Sequence, residues 1–247
     1  MPNVKTPLKP VLEIRNLHRN FGRFQAVRGL DFKIKIGEIV ALLGPNGAGK
    51  STTMRMIVGD LAPSAGYVRI GGTDFGKDPL TTRASLGYLP EGAPLYDEMT
   101  PVAFLDFLGG CHGLERAKRK QRIEDIVRRL ALTTVAEKPI RALSKGFRRR
   151  VALGGAMIHD PRLLVLDEPT DGLDPNQKQD VRELLSTLQP ERAIVISTHM
   201  LEEVAAICTR AIVISRGRAI TDTTPAQLQA QGPLETVFRE LTASALE

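Results

Sequence analysis

The chain has 247 residues, of which 42% are hydrophobic, and its formal net charge is +6. This length and composition allow a full hydrophobic core, and they are most simply explained by one α/β unit with an inserted subdomain. They exclude a membrane-spanning protein, because no apolar run approaches about eighteen residues, and we also expect no signal peptide. Cys111 and Cys208 lack a C-x-x-C spacing, which argues against a disulfide framework or a zinc site and favours a reducing cytosol.

Strand and helix patterns alternate along the chain. Strands are predicted near residues 11–15, 31–36, 38–43, 67–70, 85–89, 163–167, 193–198 and 210–220, and helices over about 50–59, 101–112, 119–131, 145–158, 176–188 and 200–207. This alternation favours an α/β fold with a mostly parallel sheet, helices on both faces and an antiparallel β edge from the early strands. Residues 92–155 show helical patterns only, which predicts an inserted all-helical subdomain in a core made of 1–91 and 156–222. Residues 223–247 are predicted to form a short helical tail.

The first candidate site follows the strand predicted over 38–43. Residues 44–52 read Gly-Pro-Asn-Gly-Ala-Gly-Lys-Ser-Thr, a phosphate-binding loop of the form G-x-x-x-x-G-K-[ST]. Its glycines let backbone N–H groups point at phosphate oxygens, and the next helix adds the positive end of its dipole. Strand before and helix after disfavour a plain Gly-rich turn. The chain is therefore predicted to bind a nucleoside triphosphate through Gly44, Pro45, Asn46, Gly47, Ala48, Gly49, Lys50, Ser51 and Thr52.

Within this loop, two side chains have predicted chemical roles. Lys50 is expected to reach the β and γ phosphates, and Ser51 is expected to hold Mg²⁺. A phosphate loop alone is compatible with a GTPase, a kinase or a transport ATPase, because function depends on the rest of the site.

Two adjacent carboxylates end the apolar strand predicted over 163–167. Asp167 can bind Mg²⁺ through its water shell, since hard cations prefer oxygen ligands. Glu168 can point at the γ-phosphate and accept a proton from an attacking water. The alternative is a solvated acidic turn at a strand end.

A second anion site is predicted between these two stretches. Residues 143–150 read Leu-Ser-Lys-Gly-Phe-Arg-Arg-Arg, and Ser144 is predicted as the N-cap of a helix. Free N–H donors, the helix dipole and cationic side chains would bind an anion there. The stretch lies too close in the chain to the carboxylates to return to the same phosphate pocket, so it is expected to serve a nucleotide held by another copy. The alternative is that Ser144 only caps its helix.

Taken together, these motifs resemble the nucleotide-binding subunit of an ATP-binding cassette (ABC) transporter, of the bacterial export type with a separate membrane subunit. The stretches that carry the resemblance are 44–52, 143–147, 166–170 and 172–174, with His199 further on. The resemblance implies a P-loop NTPase core and a head-to-tail homodimer with two ATP molecules between the subunits. Ser144, Lys145 and Gly146 of one copy would close on the ATP of the other, and Asp174 would lie across the seam.

The resemblance also implies roles for residues outside the main motifs. Phe21 would stack on adenine, although as a lone residue it is as well explained as a core aromatic. His199 would touch the γ-phosphate and complete a catalytic set with Glu168 and Lys50. A histidine at a strand end is otherwise more often a hydrogen-bonded structural residue.

Two positions depart from the commonest pattern of the family. Glu91 stands where many relatives have Gln; it can still bind Mg²⁺ but adds a negative charge beside the phosphates. We predict that Glu91 keeps the Mg²⁺-binding and sensing role. Lys145 and Phe147 stand where Gly and Gln are more usual, and Lys145 either offsets Glu91 or is simply solvated.

The positive charge is concentrated in one part of the chain. Residues 116–150 contain thirteen Lys or Arg and three acidic residues, a net charge of +10. Apolar positions at helical spacing predict an amphipathic helix with a basic outer face. The run over 116–122 favours a solvated face over contact with anionic lipid headgroups, and lipid over nucleic acid, because no aromatic residues are available for base stacking.

The sequence thus predicts a Mg²⁺-dependent ATPase that dimerises on ATP and drives a multi-span membrane permease, with export favoured. It would lie in the cytoplasm, on the inner face of the cell membrane, and no direct contact with nucleic acid is expected. The alternative is a soluble cassette ATPase that acts on nucleic acid, a ribosome or a protein machine. A small-molecule kinase would leave residues 143–150 and 166–174 unexplained.

Overall fold

The structure is a computed structural model that describes residues 9–92 and 94–243. Within these ranges the chain forms ten strands and nine α-helices. The strands are β1 (Leu12–Phe21), β2 (Phe24–Ile34), β3 (Ile39–Leu43), β4 (Ala65–Ile70), β5 (Thr73–Asp74), β6 (Leu86–Leu89), β7 (Leu163–Asp167), β8 (Ala193–Thr198), β9 (Arg210–Ser215) and β10 (Arg218–Thr223). The helices are α1 (Lys50–Ile57), α2 (Pro79–Ala84), α3 (Pro101–Cys111), α4 (Arg116–Arg129), α5 (Lys145–Met157), α6 (Pro175–Leu188), α7 (Leu201–Ile207), α8 (Pro225–Gln229) and α9 (Leu234–Ala243).

The main sheet has six strands in the order β10-β9-β3-β8-β7-β6. Its strands are parallel except for β10, which runs antiparallel to β9 at one edge. All five residues of β3 are buried, as expected for a central strand that is covered on both faces. The mostly parallel sheet predicted from the sequence is therefore confirmed, and its antiparallel edge is β10.

The early strands form a sheet of their own, in the order β2-β1-β4-β5 and antiparallel throughout. The prediction that they extend the main sheet is wrong, because their backbone groups are paired within this second sheet. The edge of the main sheet is instead supplied by a hairpin in the segment predicted as one strand over 210–220. Arg216 (φ 48°) and Gly217 (φ 77°) make its tight turn, with the two positive φ values that a two-residue hairpin prefers.

The main sheet separates two hydrophobic cores. Alternate residues of β3 contribute to each, with Ile39 and Leu43 on one face and Val40 and Leu42 on the other. The first core lies between the sheet and the helices α3 to α6, and the second lies between the sheet, α1 and the antiparallel sheet. This packing fixes the carboxyl ends of the parallel strands on a rigid platform.

Between β6 and β7 the described residues form helices only. The boundary predicted at residue 155 falls inside α5, which continues to Met157 and packs against β6. The tail contains α8 and α9, and its last residues, 244–247, lie outside the described part of the chain, as do residues 1–8. No helix among the described residues is long and apolar enough to cross a membrane.

The predicted amphipathic helix is α4, whose apolar side is buried at Ile126. Two of its basic residues form ion pairs with neighbouring elements. Arg119 Nε lies 2.6 Å from Asp106 Oδ1, and Arg122 Nη2 lies 3.2 Å from Asp160 Oδ1. Part of the basic run thus holds the helical region together.

Candidate nucleotide site

The phosphate loop connects β3 to α1 and depends on glycines with no room for a side chain. A Cβ atom on Gly44 would overlap the carbonyl oxygen of Ile214 in β9. Gly49 has φ 106°, and a Cβ atom there would lie 2.6 Å from the carbonyl oxygen of Ala26. These close approaches to β9 and β2 require glycine at both positions of the loop.

Lys50 is the first residue of α1 and is buried. Its Nζ atom donates hydrogen bonds to the carbonyl oxygens of Gly44 (2.7 Å) and Pro45 (3.1 Å). Burial lowers the pKa of Lys50, whereas the negative charges of Glu168 and Asp167 raise it. The ammonium group is thus a preorganised positive charge at the base of the loop.

The two predicted carboxylates follow each other where β7 ends. Asp167 is buried, and its Oδ1 atom accepts a hydrogen bond from the hydroxyl of Ser197 in the neighbouring strand β8. Glu168 has left the strand, with a φ of 46° that is uncommon for a residue other than glycine. Its backbone N–H donates to the carbonyl oxygen (3.2 Å) and the hydroxyl oxygen (3.1 Å) of Ser197.

Glu168 and His199 contact each other although they are far apart in the chain. The Nδ1 atom of His199 lies 3.1 Å from both carboxylate oxygens of Glu168. Because an ionised carboxylate only accepts, Nδ1 carries the proton in this hydrogen bond. The Glu168 side chain is 16% exposed and that of His199 is 52% exposed, so the pair reaches solvent at the mouth of the site.

A cavity of about 390 Å³ brings most of the predicted residues together. It is lined by Phe21, Phe24, Ala26, Asn46, Gly47, Gly49, Lys50, Ser51, Thr52, Glu91, Glu168, Asp171 and His199. Gly44, Pro45 and Ala48 belong to the loop but do not line the cavity, and the buried Asp167 is also absent from its wall. Three lining residues, Phe24, Ala26 and Asp171, were not predicted. Phe24 pairs with Phe21 across the β1–β2 hairpin, which places an exposed aromatic beside the predicted one.

Other predicted residues lie outside this cavity. Ser144 is exposed and caps α5, and its hydroxyl accepts from the backbone N–H of Phe147 at 3.4 Å. Asp174 is exposed and caps α6 in the same way, through the N–H of Gln177 at 2.9 Å. The predicted capping role of Ser144 is confirmed, and within one chain neither cap faces the phosphate loop's cavity.

Lys145 and Gly146 begin the same helix. Lys145 lines a second cavity of about 530 Å³, which it shares with Glu91, Glu168 and Asp171. The predicted proximity of Lys145 and Glu91 therefore has a structural counterpart. Gly146 is buried, and a Cβ atom there would lie 2.8 Å from the side chain of Gln177, which would have to move.

Comparison with known proteins identifies the family. A sequence model of the family described as ABC transporter matches residues 27–171. The chain belongs to the ABC transporter family. It is 35% identical over 237 residues to the linearmycin resistance ATP-binding protein LnrL of Bacillus subtilis (strain 168), a match that covers 96% of this chain and 76% of that protein. It is 40% identical over 198 residues to the ABC transporter ATP-binding protein NatA of the same strain, with 79% and 80% covered.

Further relatives and solved structures agree. The Nod factor export ATP-binding protein I of Ralstonia nicotianae is 36% identical over 220 residues, which cover 89% of this chain and 68% of that protein. A solved ATP binding subunit of an ABC transporter superposes on this chain with a TM-score of 0.84 at 29% identity. The match covers 94% of this chain and 99% of the solved chain. The P-loop fold class is thereby confirmed, and the chain is the ATP-hydrolysing subunit of an ABC transporter.

Three oxygen-bearing side chains of this ABC ATPase fit a magnesium ion. Ser51 and Glu91 line the cavity of Lys50, and Asp167 lies at the end of strand β7. Hydroxyl and carboxylate oxygens are the donors that Mg²⁺ prefers. Among the described residues, no group of three or more His, Cys, Asp or Glu could hold a metal by itself.

Sequence reasoning missed Arg149 of α5 in this ABC ATPase. Its guanidinium group donates to the carbonyl oxygens of Asp167, Glu168 and Pro169, which are the three residues of the carboxylate turn. The run of three arginines over 148–150 indicates positive charge but does not show which side chain turns inward.

Proposed function

We propose that the 390 Å³ cavity is the ATP site, that two copies close head to tail around two ATP molecules, and that hydrolysis drives a separate multi-span permease in the direction of export. The observation that carries the proposal is the convergence of Lys50, Glu168 and His199 on one cavity beneath two exposed aromatic rings. Lys50 begins α1, Glu168 follows β7 and His199 follows β8, so the three side chains reach one cavity from separate parts of the chain.

Phe21 and the phosphate loop define the two ends of the proposed ligand. Phe21 is 46% exposed, with the guanidinium carbon of Arg19 lying 4.6 Å from its ring centroid, and Phe24 is 62% exposed, so each ring would have surface left to stack on adenine. At the other end, the N–H groups of residues 47–52 and the dipole of α1 would bind the phosphates. In the ATP complex, Lys50 would direct its charge at the β and γ phosphates.

Hydrolysis requires a base close to the γ-phosphate, and Glu168 is the candidate. Its carboxylate would orient a water and accept its proton, while His199, bonded to the same carboxylate, would fix its direction. Mg²⁺ held by Ser51, Asp167 and Glu91 would neutralise phosphate charge when bound. The remaining rate enhancement would come from preorganised positive charge, above all that of Lys50.

The second anion site supports the dimer. Ser144 and Asp174 are exposed and lie outside the cavity of Lys50, which is consistent with contacts to a nucleotide held by another molecule. In the proposed closed dimer, Ser144, Lys145 and Gly146 contact the γ-phosphate held by the partner copy. Lys145 would also compensate the negative charge of Glu91.

The permease partner is proposed from the relatives. One relative is named as an export ATP-binding protein, and another solved structure at a TM-score of 0.82 and 28% identity is part of a transporter complex. We assign the ATP-binding core to residues 1–91 and 156–222, the subdomain that carries Ser144 to 92–155, and the tail to 223–247. The subunit would lie on the cytoplasmic face of the membrane through its permease.

Glu168→Gln provides the test. This variant should bind ATP, barely hydrolyse it and accumulate as a dimer, because the amide keeps the shape of the carboxylate but cannot accept a proton. Lys50→Met is the matched control, since loss of the charge at the phosphates should abolish both ATP binding and dimerisation. Tagged Glu168→Gln protein, purified from gently solubilised membranes in ATP, should carry a multi-span membrane protein that mass spectrometry identifies.

Two results would overturn the proposal. Hydrolysis by Glu168→Gln at close to the normal rate would remove Glu168 from its role. Recovery of ribosomes, nucleic acid or soluble proteins in place of a membrane protein would favour a cassette ATPase that acts outside transport.

A further inference from the structure

Arg149 contacts the backbone of the carboxylate turn, residues 167–169, which is called the catalytic turn from here on, at all three of its residues. Its Nη2 atom donates to the carbonyl oxygens of Asp167 (2.9 Å) and Glu168 (2.5 Å), and its Nε atom donates to that of Pro169 (2.9 Å). The side chain is largely buried, and burial lowers its pKa while the carboxylates of Asp171 and Asp167 oppose the change. A planar guanidinium can bond several acceptors at once, which a lysine ammonium cannot do with the same geometry.

These hydrogen bonds act on a backbone segment that has an unfavourable conformation. Glu168 has φ 46°, a conformation that costs a residue with a side chain of the order of 1 kcal/mol unless its surroundings impose it. Ser197 holds the N–H of Glu168 from one side, and Arg149 holds the carbonyls of the turn from the other. The backbone that carries the Glu168 side chain is therefore held at both its N–H and its carbonyl group, while His199 contacts the carboxylate itself.

The helix that carries Arg149 also carries the proposed anion site for the partner's nucleotide. Ser144 caps the start of α5, and Arg149 follows five residues later, about 7.5 Å along the helix axis. A helix moves as a rigid element over this distance. Any shift of α5 when Ser144 closes on an anion thus reaches the carbonyls of residues 167–169.

We propose that Arg149 is a positioning residue that sets the direction of Glu168 and couples it to occupation of the Ser144 site. The proposal rests on the proposed roles of Glu168 and Ser144. Each subunit then has one helix that senses the partner's nucleotide and orients the base that acts on its own.

The test separates positioning from stability. Arg149→Lys keeps the positive charge but loses the planar guanidinium with its several N–H donors, and Arg149→Ala removes both the charge and the donors. Each should lower kcat by about 100-fold, the usual cost of misplacing a reacting group, with the KM for ATP changed by less than about threefold. Guanidinium chloride at roughly 20 mM, far below unfolding concentrations, should restore part of kcat to Arg149→Ala, whereas sodium chloride should not.

Arg150→Ala is the matched control. Arg150 lies on the same helix, but its guanidinium bonds Asp180 and the carbonyl oxygen of Leu130, away from the catalytic turn. This variant loses a comparable set of contacts, so its kcat should stay within about twofold of the wild type if only the clamp on the turn matters.

Coupling is measured by a double-mutant cycle. Ser144→Ala should lower kcat in the wild type, and its effect should be much smaller in the Arg149→Lys background, because the path from Ser144 to Glu168 is already broken. Effects that multiply independently would overturn the coupling.

Glu168→Gln distinguishes failure of this proposal from failure of the proposed function. If Glu168→Gln is inactive and Arg149→Lys turns over at the wild-type rate, Arg149 has no positioning role. If Glu168→Gln itself stays active, the assignment of the base is wrong. Should Arg149→Ala not fold, the Arg149→Lys variant decides alone, since a retained kcat refutes the proposal and a loss at unchanged KM supports it.

Discussion

His159 is expected to make the stability of this subunit depend on pH. The residue follows α5, and its Nε2 atom donates to the carbonyl oxygen of Leu86 at 2.8 Å. Its ring stacks on that of His112, with centroids 3.8 Å apart and an interplanar angle of 11°. Burial lowers the pKa of His159 to about 4, and the neighbouring His112, Arg122 and Arg192 act in the same direction.

The magnitude follows from linkage between protonation and folding. An unfolded histidine has a pKa of about 6.5, so between about pH 6.5 and pH 4 His159 is protonated in the unfolded state but mostly neutral in the folded state. Stability therefore falls as the pH falls through this window. Relative to pH 7, the loss is about 2 kcal/mol at pH 5 and about 3 kcal/mol at pH 4, using 1.36 kcal/mol per pKa unit.

His159→Gln isolates this contribution. Glutamine can still donate an N–H to Leu86 but does not titrate, so the variant should lose about 2 kcal/mol less than the wild type between pH 7 and pH 5. Urea unfolding at the two pH values measures the difference, and the NMR signal of the His159 ring reports its pKa directly. An equal loss in both proteins, or titration of His159 near pH 6.5, would refute the reasoning.

Two substitutions test the packing of the site and its platform. Gly87→Ala should destabilise the subunit by about 1–3 kcal/mol in thermal or urea unfolding, because its Cβ would overlap the carbonyl of Ala156, whereas Gly76→Ala, which meets only an ordinary contact, should be nearly neutral. Ser197→Ala removes the hydroxyl bonded to Asp167 and should cost about 1–3 kcal/mol with a fall in ATP turnover. Equal stability of the two glycine variants, or full turnover without the hydroxyl, would contradict these contacts.

Local motifs were readable from the sequence because each needs only its own residues. The phosphate loop requires glycines at set spacings before a Lys-Ser pair, and the structure places Lys50 at the start of α1 as predicted. The cap at Ser144 is equally local, since its side-chain oxygen accepts from an N–H three residues later. The separation of the early strands into a sheet of their own was not readable, because strand propensity does not say which strand is the partner.

Non-local contacts escaped prediction for the same reason. Phe24 joins Phe21 only through hairpin register, and Asp171 enters the cavity only through the turn after Glu168. Arg149 was one of three consecutive arginines, and only the placement of α5 in the folded chain selects it to hold the carboxylate turn.

The amino-acid sequence by itself determined that this protein has a phosphate loop, a pair of carboxylates at a strand end and a helix capped by Ser144, because each depends on residues a few positions apart. Only the tertiary structure decided that His199 bonds Glu168, that Ser197 bonds Asp167 and that Arg149 holds the turn between them. These contacts join residues 18 to 31 positions apart. The first two form because parallel strands bring their carboxyl ends to one edge of the sheet, and the third depends on where α5 packs, neither of which a sequence states.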